Sequence, residues 1–593
     1  MTKQSPDQAH WDLDQILKIA DFDKVFAEVE AQIPEYTSWL KKFTPDMPTQ
    51  VLQDYFTWHF EVNEKLTRLY DRGALWESTD AKSGEPAQLK SRAQDLSIEL
   101  SEVARPIGMW LKGKAVDGLK TLDDQNAARL FAGVEGMEYP LQYSRSMARH
   151  TLSLSEEDII THKDATGVGV LIDLREALET DFRYSLKLDG KTEKYETASE
   201  LLKNIYSPEP ARREAAYQAL YKPFEDNKEK LFKIYQAVVK DWAYEAKLRG
   251  YASSIGMRNA GNHIPDEAIE TLLEVCEQES VIYQDFFHWK KSELGLDKLQ
   301  RSDIYAPIGE SKQEFTYPEA VDLVMTSFKA FSPDFAAKAQ RILDENHVDS
   351  HPSPTKRGGA FCATIMPSMA PYVLLNYANR GRDISTLAHE LGHGVHSLYA
   401  DHLPIASQHA NLPLAETAST FGEMVLFEAL LAKISDPQER KALIADKVAD
   451  SYATICRQTY FVKFEIEAHK AIPEGASADD LEKLWMKTLK TQFGDAVEVD
   501  DMFKNEWSYI PHIVHTPFYC YAYSFGDLLS MSLFARYKRE GQTFIPKIEA
   551  ILRAGGSRDP QEVLQEVGID MTSAEFWCGG FEIIKDWIGE LKN

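Results

Sequence analysis

Residues 383–398 read Asp383-Ile384-Ser385-Thr386-Leu387-Ala388-His389-Glu390-Leu391-Gly392-His393-Gly394-Val395-His396-Ser397-Leu398. Ile384, Leu387, Ala388, Leu391, Val395 and Leu398 recur at helical spacing, and Asp383 and Ser385 are candidate N-caps. The spacing predicts a helix independently of its histidines. On that helix His389 and His393 lie one turn apart on one face, so both imidazoles can reach a single ion. Glu390 then sits beside the ion, where it can take a proton from water, the arrangement of a hydrolytic zinc helix. With 16 histidines in 593 residues the pentad arises from composition alone in about one chain in a few tens. The bland alternative is a helix carrying two unconnected histidines.

A second helix is predicted from Pro413, in its first turn, through Leu414-Ala415-Glu416-Thr417-Ala418-Ser419-Thr420-Phe421-Gly422-Glu423 to Leu431. Glu416 lies 23 residues beyond His393. Two histidines and one carboxylate leave the fourth tetrahedral position of a zinc ion open to water, which separates a catalytic site from a closed structural one. Glu423 follows Glu416 by two turns, and His396 follows His389 by two turns. Each is a candidate for orienting a ligand imidazole or the water, or is a polar residue on a solvated face.

Upstream, Lys356-Arg357-Gly358-Gly359-Ala360-Phe361-Cys362-Ala363-Thr364-Ile365-Met366 and Tyr372-Val373-Leu374-Leu375-Asn376-Tyr377 flank the proline-bounded loop Pro367-Ser368-Met369-Ala370-Pro371. They predict a pair of strands leading into the histidine helix. An extended peptide can add itself to an exposed sheet edge, and Gly358 and Gly359 would let its backbone approach closely. The alternative is a glycine bend that touches no substrate.

Far downstream lies Pro511-His512-Ile513-Val514-His515-Thr516-Pro517-Phe518-Tyr519-Cys520-Tyr521-Ala522-Tyr523. Attack on a peptide carbonyl builds negative charge on its oxygen, which a phenol or imidazole donor stabilises. An extended stretch would present Tyr519, Tyr521 and Tyr523 on one side, whereas a helix would spread them around its axis. An aromatic core patch is the other reading.

Taken together, His389-Glu390-Leu391-Gly392-His393-Gly394-Val395-His396, the helix Glu416-x-x-Ser419-x-x-x-Glu423 and the tyrosine-rich segment resemble the thimet oligopeptidase and oligoendopeptidase F group of zinc metallopeptidases, closest to the oligoendopeptidase F branch. The likeness runs from about residue 200 to the end, and a weaker one includes Trp11-Asp12-Leu13. The resemblance implies a mainly α fold: two helical halves around a deep substrate channel, with a small β-sheet element beside the metal-binding helix. It implies one zinc per chain on His389, His393 and Glu416, with Glu390 as general base. It assigns Tyr523 and His512 as oxyanion and substrate donors and Tyr519 or Tyr521 to the substrate backbone, with His515 competing for the His512 role. The implied activity is cleavage of internal bonds in short unstructured oligopeptides. Alternatives are an exopeptidase with the same metal site, a non-catalytic peptide-binding protein and a purely structural zinc site.

The remaining sequence bounds these readings. A 44% hydrophobic content over 593 residues supports sizeable cores. A net charge of −27 opposes a nucleic-acid partner, because phosphate backbones need a basic footprint. The first eight residues lack an apolar signal core, and no run of 18 apolar residues occurs, so a cytoplasmic protein without a membrane partner is expected. Cys276, Cys362, Cys456, Cys520 and Cys578 show neither disulfide nor zinc spacing. Helical periodicity dominates, as in the stripe Leu89, Ala93, Leu96, Leu100 and Val103 of a helix predicted to start near Pro86 and stop at Pro106. Alternation around Asp189-Gly190 predicts a hairpin near 182–195. Helices resume at 198–202 and again from Ala211 to Leu248. The expected organisation is an N-terminal helical region over 1–110, a small α/β region over 111–200 and a catalytic domain over 201–593. The sequence sets no oligomeric state.

Overall fold

The computed structural model describes residues 9–309 and 314–593, so the reading of the first eight residues lies outside the described ones. The chain divides into two compact units, each gathered from three segments. Unit 1 comprises Met1–Leu154, Gln313–Leu430 and Tyr537–Gly568, and unit 2 comprises Ser155–Lys312, Leu431–Arg536 and Ile569–Asn593. Both are mainly helical. Among the described residues no helix is long and apolar enough to cross a membrane.

Unit 1 begins with a helical bundle dominated by α1 (Thr49–Thr79) and α2 (Gly84–Leu111). The predicted stripe is its seam: Leu89, Ala93, Leu96 and Leu100 are buried, and Val103 packs against them. Fully burying a leucine contributes about 1.5–3 kcal/mol. α2 does not stop at Pro106 but continues to Leu111. A proline in a helix leaves the carbonyl four residues earlier without its usual donor, and that residue, Glu102, faces solvent where the group can be satisfied. Ile107 and Trp110, both buried, hold the last turn down.

Unit 2 takes over with α3 (Val168–Thr180) and the hairpin β1 (Tyr184–Leu188) and β2 (Lys191–Tyr195). Asp189 and Gly190 both have positive φ, +50° and +74°, as a tight two-residue hairpin turn requires. α4 (Pro210–Asp226) and α5 (Lys228–Leu248) follow, interrupted at Asn227, and then α6 (Ser254–Gly261).

Back in unit 1, β3 (Val348–Asp349), β4 (Phe361–Ala363) and β5 (Tyr372–Leu374) form a sheet of order β3-β5-β4. β4 and β5 are the predicted pair, antiparallel with Phe361 opposite Leu374, and β3 adds a parallel strand. The sheet packs beside α7 (Gly381–Tyr399). α8 (Leu412–Ala415) and α9 (Thr417–Lys433) come next. Unit 2 then contributes α10 (Arg457–Ala471), the single turn α11 (His512–His515) and, as far as Arg536, α12 (Tyr521–Glu540).

Candidate metal and peptide site

α7 starts earlier than its candidate caps. Its N-cap is Arg380, and Asp383, in the first turn, reaches back to accept the backbone N–H groups of Ala378 at 2.9 Å and Arg380 at 3.1 Å. Asp383 thus caps from inside the helix, as a capping-box carboxylate does. The apolar stripe Ile384, Leu387, Ala388, Leu391, Val395 and Leu398 is at most 1% exposed and fixes which face remains for the histidines. Glu416 occupies the one-residue break between α8 and α9, so the predicted second helix is two helices with the carboxylate at their joint.

The joint brings three donors together. His389 Nε2 and His393 Nε2 are 3.1 Å apart, and Glu416 Oε2 lies 3.5 Å from the first and 3.4 Å from the second. Bonds of about 2.0–2.2 Å in a tetrahedral zinc site place neighbouring donors about 3.3–3.6 Å apart. Both separations to the carboxylate fall in that range, the 3.1 Å between the imidazoles is slightly shorter, and the two-imidazole, one-carboxylate set fits that ion.

Two residues orient these donors. Glu423 Oε1 accepts from His389 Nδ1 at 2.7 Å, which commits that nitrogen to its proton and leaves the Nε2 lone pair for a metal. Ser419 Oγ donates to Glu416 Oε2 at 2.8 Å. Sequence alone gives Ser419 no task, and its place three residues after Glu416 is the signal that points to it. His396 is buried, and its Nδ1 faces the carbonyl of Ala415 at 3.4 Å. It braces the backbone next to Glu416 rather than a ligand imidazole, and burial pushes it down to about 4.

Electrostatics separate the roles further. Burial pushes Glu390 up to about 7, against the pull of His389 and with the repulsion of Glu416 and Glu423. Burial disfavours a charged His389, but the Glu423 hydrogen bond and the surrounding carboxylates outweigh it and hold the imidazole up at about 9. Burial lowers His393 despite the opposing charge of Glu416. Metal binding needs both imidazoles deprotonated at Nε2, so an ion here displaces protons. Glu390, His389 and His393 line a cavity of about 370 Å³ together with Phe361 and Cys362 of β4.

β4 is the edge strand on this side of the sheet. Gly358 and Gly359 lie in the open before it, and a side-chain Cβ at either would meet nothing within 4 Å. Gly359 has φ +83°, and its carbonyl accepts from Asn376 Nδ2 at 2.7 Å.

The tyrosine segment in unit 2 is not extended. After α11 the chain turns through 516–520, and α12 begins at Tyr521. Five alternating residues carry little strand preference against a helix whose following turns, Phe525 through Leu533, are buried. The tyrosines therefore part company. Tyr521 is fully buried and its hydroxyl accepts from Asn262 Nδ2 at 2.7 Å, which makes it a packing residue rather than a substrate contact. Tyr519 and Tyr523 meet edge to face at 5.2 Å. Tyr523 Oη pairs with His512 Nε2 at 3.3 Å, and the His512 ring lies parallel to Tyr519. Burial lowers His512 below its ordinary value. His515 points elsewhere, taking a hydrogen bond from Arg175 Nη1 at 3.4 Å.

A family model described as Peptidase family M3 matches residues 204–583. Group B oligopeptidase PepB of Streptococcus agalactiae is 28% identical over 449 residues, covering 75% of this chain and 74% of the relative. Oligopeptidase PepF of Bacillus subtilis is 25% identical over 98% of this chain and 87% of its own length. A crystal structure of oligoendopeptidase-F from Enterococcus faecium shares the fold with a TM-score of 0.71 at 22% identity, covering 98% of this chain and 99% of that one.

Proposed function

The chain belongs to peptidase family M3, and from that premise we propose that it is a zinc-dependent oligoendopeptidase of the cytoplasm that cuts internal bonds of short, unstructured peptides. The observation that carries the reading is the convergence of His389, His393 and Glu416, with their donor atoms within 4.8 Å of one another. These three would hold the ion. When bound, zinc supplies Lewis-acid polarisation and makes a water acidic enough to lose its proton near neutral pH.

Glu390 receives that proton. Its buried carboxylate, next to His389 in the chain and lining the same cavity as both imidazoles, is placed to accept a proton from the attacking water and hand it to the leaving amine. Glu423 keeps His389 in the tautomer that presents Nε2, and Ser419 fixes the rotamer of Glu416. The Tyr523 hydroxyl, paired with His512, donates to the carbonyl oxygen as it gains charge. Edge strand β4 offers main-chain groups to an extended peptide, so recognition leans on backbone rather than on particular side chains.

Mass spectrometry of products from a random peptide pool, with and without chelator, tests this reading. Internal cuts that vanish on chelation and return with zinc are expected. Release of terminal residues alone, or cleavage indifferent to chelator, would overturn it.

A further inference from the structure

Phe518 has φ +59°. A bulky side chain in the left-handed region costs about 1–3 kcal/mol and persists only where its surroundings over-determine it. Here they do. Glu465 of α10, which is fully buried, accepts the Phe518 N–H on Oε1 at 2.8 Å. Arg258 of α6 donates from Nε to the carbonyl of Pro517 at 3.0 Å. The Phe518 ring is buried against the imidazole of His469, with centroids 4.5 Å apart. Asn262, at the end of α6, pins Tyr521 just beyond the turn.

The arrangement is costly as architecture. The second oxygen of Glu465 is buried with no hydrogen-bond partner among the described residues, and so are both ring nitrogens of His469. Buried polar atoms left this way each cost about 1–3 kcal/mol. A turn needed only to connect α11 to α12 could relax Phe518 to negative φ and replace both groups with apolar ones. What the strained turn does fix is the residue next to it: Tyr519 follows Phe518 directly, and Tyr523 packs edge to face on Tyr519 beside His512.

We propose that Glu465 and Arg258 are positioning residues, clamping Pro517-Phe518 in its strained turn so that Tyr519 and Tyr523 are held in the geometry the reaction uses. The inference deepens the proposed function and rests on it, since it takes Tyr523 as the oxyanion donor. Glu465 and Arg258 touch no substrate. They act through the backbone of the turn.

The test uses the zinc-loaded full chain and an internally quenched peptide. Glu465→Gln keeps an acceptor for the Phe518 N–H and leaves kcat within about threefold. Glu465→Leu and Arg258→Met lower kcat by about 10- to 100-fold with KM changed far less, because small misplacements of a transition-state donor are expensive. Combining either substitution with Tyr523→Phe costs no more than Tyr523→Phe alone, since both remove the same contact. Normal kcat in folded Glu465→Leu and Arg258→Met variants overturns the proposal, and so do losses that simply add to that of Tyr523→Phe. Arg258 is half-buried, so its variant carries the test if Glu465→Leu does not fold. If Tyr523→Phe alone is fully active, the oxyanion assignment fails separately, and the clamp is then read by the same cycle against Tyr519→Phe.

Discussion

At the scale of single residues, one hydrogen bond decides which nitrogen of His389 is available. Glu423 Oε1 accepts the hydrogen bond of the Nδ1–H at 2.7 Å, so only the Nε2 lone pair can face an ion. Glu423→Ala should therefore keep all three metal donors yet weaken zinc binding by about 10- to 100-fold, as read by chelator competition. Unchanged affinity would mean that the bond is incidental. Glu416→Ala removes a donor and should abolish stoichiometric zinc, which elemental analysis of the purified variant measures. Much of this was legible in the sequence. The pentad spacing aligned His389 with His393, and the two-turn spacing placed Glu423 on the face of Glu416. Linear spacing could not separate Glu423 from His396, because both lie at helical intervals and only tertiary packing turns one to an imidazole and the other to the Ala415 carbonyl. The choice between Tyr519 and Tyr521 stayed open for the same reason: the partner of Tyr521, Asn262, is 259 residues away.

Between elements, the close approach of α7 to α9 is set by a residue the pentad leaves unspecified. A Cβ at Gly392 would lie 2.6 Å from both the carbonyl oxygen of Ala418 and the Cα of Ser419, closer than such atoms can come. Backbone, unlike a side-chain tip, cannot swing aside. Gly392→Ala should thus push the two helices apart, costing about 1–3 kcal/mol of stability, and pull Glu416 and Glu423 away from the histidines. The expected result is a lowered Tm together with weakened zinc binding. A variant that loses neither would show that the helix spacing does not matter to the site. Helix periodicity predicted that α7 exists but said nothing of how near its neighbour lies. Local signals also misplaced element ends. Pro106 was read as a stop although α2 tolerates it, and the tyrosine alternation left open an extended stretch where the buried residues after Tyr523 carry α12 back to Tyr521.

For the whole molecule, the helical class, the hairpin and the β4–β5 pair followed from periodicity and turn residues, whereas the division into two units did not. Each unit is stitched from three separate stretches, so no composition shift marks its borders. Global stability carries a signature of buried ionisable groups. Burial pushes Glu465 up from 4.5 to about 8, so the folded chain holds this proton more tightly than the unfolded one. Its contribution is fully present below about pH 4.5 and is lost as pH rises through about 8. Denaturant titrations at about pH 6 and about pH 9 should show a smaller loss of stability for Glu465→Gln than for the unsubstituted chain. Equal losses would place the titrating proton elsewhere. The central claim, that a metal on His389, His393 and Glu416 works with Glu390 to hydrolyse internal peptide bonds, is tested most directly by one comparison. An internally quenched peptide blocked at both ends is given to the zinc-loaded protein and to zinc-loaded Glu390→Gln. Cleavage by the first is expected, with a rate lower by about 100-fold or more in the second at equal zinc content. Similar rates from the two proteins would contradict it.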